Sequence, residues 1–306
     1  MKVFVTGAAG YVGAAVVAEL VKRGHEAVCL VRDGRMKRLQ KAVPEKDFAS
    51  RVRAVPGDLL RPETYRAALA GADAVIHLVG IIREKPSAGV TFERIHTEGT
   101  RLLIEACREA GFPAAGKRFV HMSALGARPG ASTDYFRTKW AAEELVRASG
   151  MPYVIFRPSV IAGEDSEFLE MLEDLAKLPL TPVIGDGKYR LQPVALSTVA
   201  DIFVKALTHP QANTSWDVGG PEQIAFNDML RAVGAALGRR VRLVHVPLGL
   251  VKPAVRAFGR LSFFPITSNQ LAMLLEENIC REGTPFYEAF GTPPVPFAEV
   301  LREWDD

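Results

Sequence analysis

An α/β fold, with a doubly wound parallel sheet and a smaller C-terminal lobe, is what this sequence predicts, and three observations carry the prediction. Over the first 160 residues, short runs rich in Val, Ile and Phe alternate with stretches of helical periodicity. That rhythm belongs to βαβ units whose parallel sheet is buried on both faces. Beyond Pro158 it breaks at Pro179, Pro182 and Pro193 and at Gly185 and Gly187, which reads as irregular structure opening a second lobe. The length, 306 residues, exceeds what one compact core usually holds. The expected division is residues 1–160 for the sheet domain, rejoined by about 193–219, and 161–306 for the lobe.

The strands expected are Lys2 to Thr6, Ala27 to Arg32, Val52 to Pro56, Ala74 to Val79, Arg118 to Met122 and Pro152 to Arg157. Between them, a helix from Tyr11 carries Lys22 and Arg23 in its last turn and stops at Gly24, and one from Val90 to Ala110 stops at Gly111. Both endings suit the helix dipole and the left-handed residue that closes a helix. Right-handed crossovers then gather the carboxyl ends of the strands on one edge, where ligands bind in such sheets. A strand at Ser215 to Val218, followed by Gly219, Gly220 and Pro221, is expected to rejoin the sheet before a helical region running from Asn227 to the end.

Composition narrows the function classes. Hydrophobic residues make up 48% and charged residues 24%, as in ordinary packed domains. A net charge of +3 with no basic block gives no reason to expect nucleic acid binding. Cys29, Cys107 and Cys280 are far apart and odd in number, so no disulfide framework, no metal site and a reducing compartment are expected. The first strand starts at Lys2, leaving no room for a leader, and no apolar run approaches the roughly 20 residues that span a bilayer. A cytoplasmic protein, at most lying against a membrane, is the expectation.

Directly after the first strand comes Thr6-Gly7-Ala8-Ala9-Gly10-Tyr11-Val12-Gly13, a G-x-x-G-x-x-G run opening an alanine-rich helix. Gly7 suits a tight turn, Gly10 a close backbone approach to a pyrophosphate, and Gly13 close packing of helix on sheet. The helix amino terminus then offers free amides to negative charge. A bare glycine turn is the plainer alternative, but placement between strand and helix at the start of a βαβ series favours a dinucleotide in a Rossmann-type fold. No Gly-Lys-Ser/Thr follows, which excludes a P-loop, and an adenosylmethionine site is the weaker rival. The second strand ends at Arg32 rather than at the acid that would accept from a ribose 2′-hydroxyl. A guanidinium there favours a 2′-phosphate, hence NADP(H) over NAD(H), with neighbouring Asp33 pointing the other way along the strand. A solvated surface arginine stays open as the alternative.

The fifth strand runs into Ser123, and a helix pattern then carries Tyr135-Phe136-Arg137-Thr138-Lys139. Spacing i, i+4 sets Tyr135 and Lys139 on one helix face. A phenol with pKa near 10 is a poor base at neutral pH, and an ammonium neighbour is expected to draw it toward useful acid–base behaviour. Ser123 is placed to hydrogen-bond a reacting oxygen. Alone, Tyr-x-x-x-Lys is a weak signal and describes a solvent-facing pair equally well. On the helix after strand five, with a serine at that strand's end, it reads as a catalytic site.

The glycine run, Gly57-Asp58-Leu59, Ser123, Tyr135 and Lys139 resemble the short-chain dehydrogenase/reductase superfamily, in its extended or atypical branch of NAD-dependent epimerase/dehydratase proteins. A narrower set looks like the family of the NADPH-binding accessory subunit of respiratory complex I and its bacterial relatives. It comprises His121 to Ala127, Arg157-Pro158-Ser159-Val160, Gln192-Pro193-Val194, Asp217 to Glu222 and Gln270 to Asn278, and spans nearly the whole chain. The resemblance implies that Asp58 and Leu59 hold the adenine, that Val79 and Gly80 line the cofactor, and that Lys139 bonds the nicotinamide ribose. It also implies Pro158 and Ser159 near the carboxamide and Tyr135 as general acid or base, with Gly7, Ala9, Gly10, Tyr11, Val12 and Gly13 around the pyrophosphate. Two positions depart from the superfamily pattern. His96 stands where many members carry a relay asparagine, and Ala162 replaces a phenylalanine common after the Arg-Pro-Ser motif.

In the lobe, Arg239, Arg240, Arg242, Lys252, Arg256 and Arg260 mingle with Leu248, Leu250, Val251, Val255, Phe258 and Leu261. This suits a basic amphipathic element on acidic lipid or a partner protein; the preferred reading is a substrate lid whose apolar face packs at home. Three functions follow. The first is an enzyme, a reductase or a nucleotide-sugar epimerase/dehydratase, in which Tyr135 moves the proton that accompanies hydride and Ser123 and Lys139 orient and polarise. The second is a non-catalytic NADP(H)-binding structural or assembly protein, as the complex I likeness implies. The third is a redox-sensing regulator. A nucleotide sugar or a quinone is the expected substrate class, and a homodimer follows superfamily habit.

Overall fold

The computed structural model describes residues 1–32, 36–258 and 268–305. Asp33, Arg260 and Leu261 and the side chain of Phe258, all weighed above, lie outside the described residues. Six strands, β1 (Lys2–Thr6), β2 (Glu26–Val31), β3 (Val52–Pro56), β4 (Ala74–His77), β5 (Arg118–Met122) and β6 (Tyr153–Pro158), follow the predicted series. They lie in the order β6-β5-β4-β1-β2-β3, with the strand Thr214–Val218 added beside β6. Every pairing from β3 across to β6 is parallel. Val3, Phe4 and Val5 in the interior strand β1 are fully buried, which explains why it shows no polar alternation, whereas edge strand β3 exposes Arg53 and Ala54. β1 has β2 on one side and β4 on the other. The chain therefore winds outward to β3 and then crosses back, and the crevice at the carboxyl ends of β1 and β4 is the switch point where such sheets take ligands.

Helix Tyr11–Lys22 buries Val12, Ala14, Val16, Val17, Leu20 and Val21, and Gly24 closes it at φ +80°. The long helix expected from Val90 divides differently: Glu93–Glu98 is a π-helical turn, and the α-helix proper is Gly99–Glu109. Widened turns of this kind cluster at functional sites, and this one carries His96.

Two compact units divide the chain. The first comprises Met1–Arg157, Ser197–Asp217 and Phe286–Thr292; the second, Pro158–Leu196, Val218–Pro285 and Pro293–Asp306. The return of 286–292 to the sheet unit differs from the expected lobe range. Its cause is aromatic packing: Phe290 lies 5.3 Å from Phe156, 5.6 Å from Trp216 and 4.3 Å from His209 between ring centroids. Within the second unit, the irregular structure expected after residue 160 contains a helix, Glu167–Lys177. Ser166 caps it by accepting from the Leu169 amide, and Leu169, Leu172 and Ala176 bury one face against Met229, Leu230 and Val233. The prolines and glycines that obscured it lie beyond its end. The region after Asn227 is likewise not all helix, because Leu243–Val246 pairs in parallel with Thr181–Ile184.

Cys29, Cys107 and Cys280 are buried, and none forms a disulfide among the described residues. Among the described residues no helix is long and apolar enough to cross a membrane, and no group of three or more His, Cys, Asp or Glu gathers as a metal site.

Candidate functional site

The glycine run forms the loop from β1 into helix Tyr11–Lys22. Gly7 adopts φ +74°, and a Cβ there would lie 3.1 Å from the Leu78 carbonyl carbon and the Val79 nitrogen, so only glycine lets the exit of β1 press against the exit of β4. Gly13 differs from expectation. A Cβ at Gly13 would stand 2.0 Å from the Gly7 carbonyl oxygen and 2.8 Å from the Ala8 backbone, so this glycine admits the loop onto the helix rather than the helix onto the sheet. Gly10 caps the helix in an extended conformation, exposed, its amide donating to the Gly7 carbonyl at 2.9 Å. The first-turn amides of Val12 and Gly13 have no carbonyl within the helix to bond, and no side chain caps this end. Ala9 and Tyr11 are half-buried beside them.

β2 ends at Val31, one residue sooner than expected, and Arg32 follows it with an exposed side chain. After β3, one Asp58 carboxylate oxygen accepts the Leu60 amide at 2.9 Å. The Leu59 side chain is buried, its Cδ2 2.7 Å from where a Gly99 Cβ would be, so its main chain is what remains toward the sheet edge. After β4 come Val79, half-buried, and Gly80, exposed. A Cβ at Gly80 would lie 2.8 Å from the Lys139 ammonium nitrogen.

Lys139 is 2% exposed and donates to the Met122 carbonyl at 3.1 Å, so the helix Asp134–Arg147, the end of β5 and the loop after β4 meet at its Nζ. Burial pulls the lysine down to about 8 against the opposing charge of Glu143. Ser123, next along from Met122, is buried with its hydroxyl lacking any hydrogen-bond partner. Tyr135, four residues before Lys139, is half-buried, its ring held edge-on by Phe92 at 5.7 Å, His96 at 5.4 Å and Phe136 at 5.3 Å. Burial pushes Tyr135 up to about 12, opposite in direction to the lowering expected from the ammonium. At neutral pH the phenol keeps its proton.

His96 has both nitrogens engaged. The Ile81 amide donates to Nε2 at 3.0 Å, so the ring proton sits on Nδ1, facing Thr138 Oγ1 at 2.9 Å. The Thr138 hydroxyl in turn reaches the carbonyls of Asp134 and Tyr135 at 2.9 and 3.0 Å. Burial, with the Lys139 charge second, pushes His96 down to about 2. It is a neutral tie between the loop after β4 and the helix of Tyr135 and Lys139. Thr138, which completes that tie, was not singled out from sequence; its one signal was its place between Tyr135 and Lys139.

Pro158 and Ser159 open the second unit. The Ser159 amide donates to the Val218 carbonyl at 2.8 Å and its hydroxyl donates to the Gln192 carbonyl. The Gln192 amide group accepts from Cys280 N–H at 2.7 Å and donates to the Gly220 carbonyl at 2.7 Å, while Asn278 accepts from Val160 N–H at 3.1 Å. A Cβ at Gly220 would lie 1.9 Å from the Pro193 carbonyl oxygen. The motif residues of this unit are thus a buried hydrogen-bonded lattice. Ala162, where the superfamily has a phenylalanine, is fully buried in the pair with Ala195.

A Rossmann-type sheet with a glycine-lined helix start at its switch point defines a dinucleotide-binding class of protein. The chain belongs to the NAD(P)H-binding family, whose model matches residues 7–210. It is similar to the mitochondrial NADH-ubiquinone oxidoreductase 40 kDa subunit of Neurospora crassa, 26% identical over 302 residues, covering 98% of this chain and 77% of that one. It is also similar to the ceramide reductase of Caulobacter vibrioides, 28% identical over 250 residues, with 80% and 73% covered. The UDP-glucose 4-epimerase of Thermotoga maritima, solved with UDP-glucose, shares the fold with a TM-score of 0.75 at 17% identity over 100% of this chain and 97% of that chain. The resemblance to the complex I subunit holds along the chain, and that to epimerase/dehydratase proteins holds for the fold.

Proposed function

We propose that the protein is an NADP(H)-dependent oxidoreductase that reduces a carbonyl-type group, with Tyr135 as proton donor and Lys139 and Ser123 as orienting and polarising groups. The observation that carries this reading is the Lys139 ammonium. It is buried with the Met122 carbonyl as its hydrogen-bond acceptor, beside the side-chain-free Gly80 and the orphaned Ser123 hydroxyl. Burying a charge and a hydroxyl with donors unspent costs stability, and a ligand's oxygens relieve that cost. These features fit a nicotinamide dinucleotide. Gly7, Ala9, Gly10, Tyr11, Val12 and Gly13 would face the pyrophosphate, Asp58 and Leu59 the adenine, Val79 and Gly80 the middle of the cofactor, Lys139 and Tyr135 the nicotinamide ribose, and Pro158 and Ser159 the carboxamide.

When bound, the nicotinamide supplies hydride. Tyr135, protonated at neutral pH, delivers the matching proton to the substrate oxygen, and the Ser123 hydroxyl donates a hydrogen bond to that same oxygen. The Lys139 ammonium stabilises the phenolate left behind. His96, bonded at both nitrogens, takes no proton and holds Tyr135 in place through Thr138. The likeness to the ceramide reductase of C. vibrioides supports this direction. NADPH oxidation by the purified chain, screened against aldehydes, quinones and nucleotide sugars, tests it. Turnover with one of these classes supports the reading, and tight cofactor with no turnover on any of them sinks it.

That second outcome favours the other reading, a cofactor-binding assembly protein, which draws support from likeness to the N. crassa subunit along 98% of this chain.

The preference for NADP(H) rests on Arg32. Arg32→Ala is expected to weaken NADPH binding by about tenfold or more, the worth of a charge-assisted bond to a 2′-phosphate, and to leave NADH binding unchanged. Parallel fluorescence titrations read this directly, and equal losses for both cofactors contradict it.

A further inference from the structure

The second unit carries an exposed apolar and basic surface that the proposed chemistry does not use. Leu180 is 61% exposed, Leu250 68%, Leu178 45% and Val244 43%, four of the most exposed large hydrophobic side chains among the described residues. Pairing relates two of them, Leu180 and Val244. In the parallel ribbon of Thr181–Ile184 with Leu243–Val246, Val244 stands opposite Pro182, and strand alternation sets Leu180 on that same outward face beside Arg242. The Arg239 guanidinium donates to the Lys177 carbonyl at 3.1 Å, which ties the cationic stretch to the segment bearing Leu178. Helix Leu248–Phe258 starts two residues beyond the ribbon, burying Val255 and presenting Leu250 outward. The lid expected from sequence, with its apolar face packed at home, does not describe Leu250.

Charge selects the partner. Arg239, Arg240, Arg242, Lys252 and Arg256 are exposed, and no Asp or Glu interrupts the chain from 239 to 256. Among the described residues, Arg240, Arg242, Lys252 and Arg256 pair with no carboxylate, and Glu173, on the helix before the ribbon, is held by Lys177 at 2.5 Å. Exposed leucines among unpaired cations match an anionic bilayer surface, which attracts the cations while apolar side chains enter the acyl boundary. The geometry points to a surface centred on Leu180, Arg242 and Val244, with Leu250 exposed on the helix that follows, that docks the protein on anionic lipid.

Co-sedimentation of the full chain with vesicles tests this, using phosphatidylcholine alone and phosphatidylcholine with about one-third phosphatidylglycerol. The expected result is pelleting with the anionic vesicles at low salt, at least about tenfold weaker partitioning with neutral vesicles, and release at high salt. Leu180→Ser with Leu250→Ser, and separately Arg240→Gln with Arg242→Gln, are each expected to reduce pelleting about tenfold. Circular dichroism and NADPH binding, which use neither pair, should stay unchanged. Absence of pelleting, or pelleting indifferent to both variants, overturns the proposal. So does self-association in sedimentation velocity that Leu250→Ser abolishes without vesicle binding, which would assign the surface to a second copy of the chain.

Discussion

Tyr135→Phe is expected to lower kcat by about a hundred- to ten-thousandfold, the range over which a positioned proton donor acts. NADPH affinity should change far less, because the phenol hydroxyl is one contact among many to the cofactor. The ring would remain in place: Phe92, His96 and Phe136 hold it edge-on at 5.3–5.7 Å, and none of these contacts needs the hydroxyl. A drop in kcat with Kd preserved therefore separates proton donation from packing. The pH profile adds a sign. With Tyr135 pushed up to about 12 and Lys139 drawn down to about 8, reduction should be flat through neutrality and fall above about pH 8, as the ammonium that supports the phenolate is lost. Steady-state kinetics of the variant decide it. A kcat within threefold of wild type would remove Tyr135 from the reaction.

Acid should unfold this protein more readily than its modest net charge suggests, because three neutral histidines lie in the sheet unit. Thr6 and Thr100 bond the two nitrogens of His77 at 2.6 and 3.0 Å, and Thr100 donates to the His96 carbonyl, which puts a ring proton of His77 on Nε2. His121, opposite His77 in the β4–β5 register and stacked on it at 5.3 Å, has no hydrogen-bond partner at either nitrogen. Burial lowers His77 to about 3, His96 to about 2 and His121 well below its usual value. The sign follows from linkage. Their stability contribution is whole above the unfolded value near 6.5, since neither state then binds the proton. Below it the unfolded chain takes up protons that the folded chain refuses, and stability falls until the folded values are reached. At pH 5 this is about 2 kcal/mol for each histidine, enough to lower Tm by more than about 10 °C from its value at pH 7.5. Thermal melts across pH 5–8 measure it. His121→Leu should be neutral or stabilising at pH 7.5, since it breaks no hydrogen bond, and should shallow the acid slope by about one-third. An unchanged slope would mean that His121 does not titrate with unfolding.

The sheet was legible because buried parallel strands need unbroken apolar runs, and β1, β3 and β5 fall at the residues expected. Helix Glu167–Lys177 was hidden because the prolines and glycines that follow it dominate a local reading, although Ser166 and the spacing of Leu169, Leu172 and Ala176 announce it. The π-turn at 93–98 depends on tertiary ties from Ile81 and Thr138 to His96, which no periodicity encodes. At the site, motif and position named Ser123, Tyr135 and Lys139. The tyrosine's protonation ran opposite to the expectation because spacing reports proximity to a charge and says nothing of desolvation. Gly13 was assigned to the wrong neighbour for a similar reason: the close approach is to the Gly7 carbonyl, a contact visible only in three dimensions.

Calorimetric titration of the intact chain with NADPH and NADH in turn is the most direct measurement. Saturable one-to-one heat with NADPH, tighter than with NADH, is the result this account predicts. A flat titration with both would contradict it, because the glycine cradle and the buried Lys139 would then have no dinucleotide to hold.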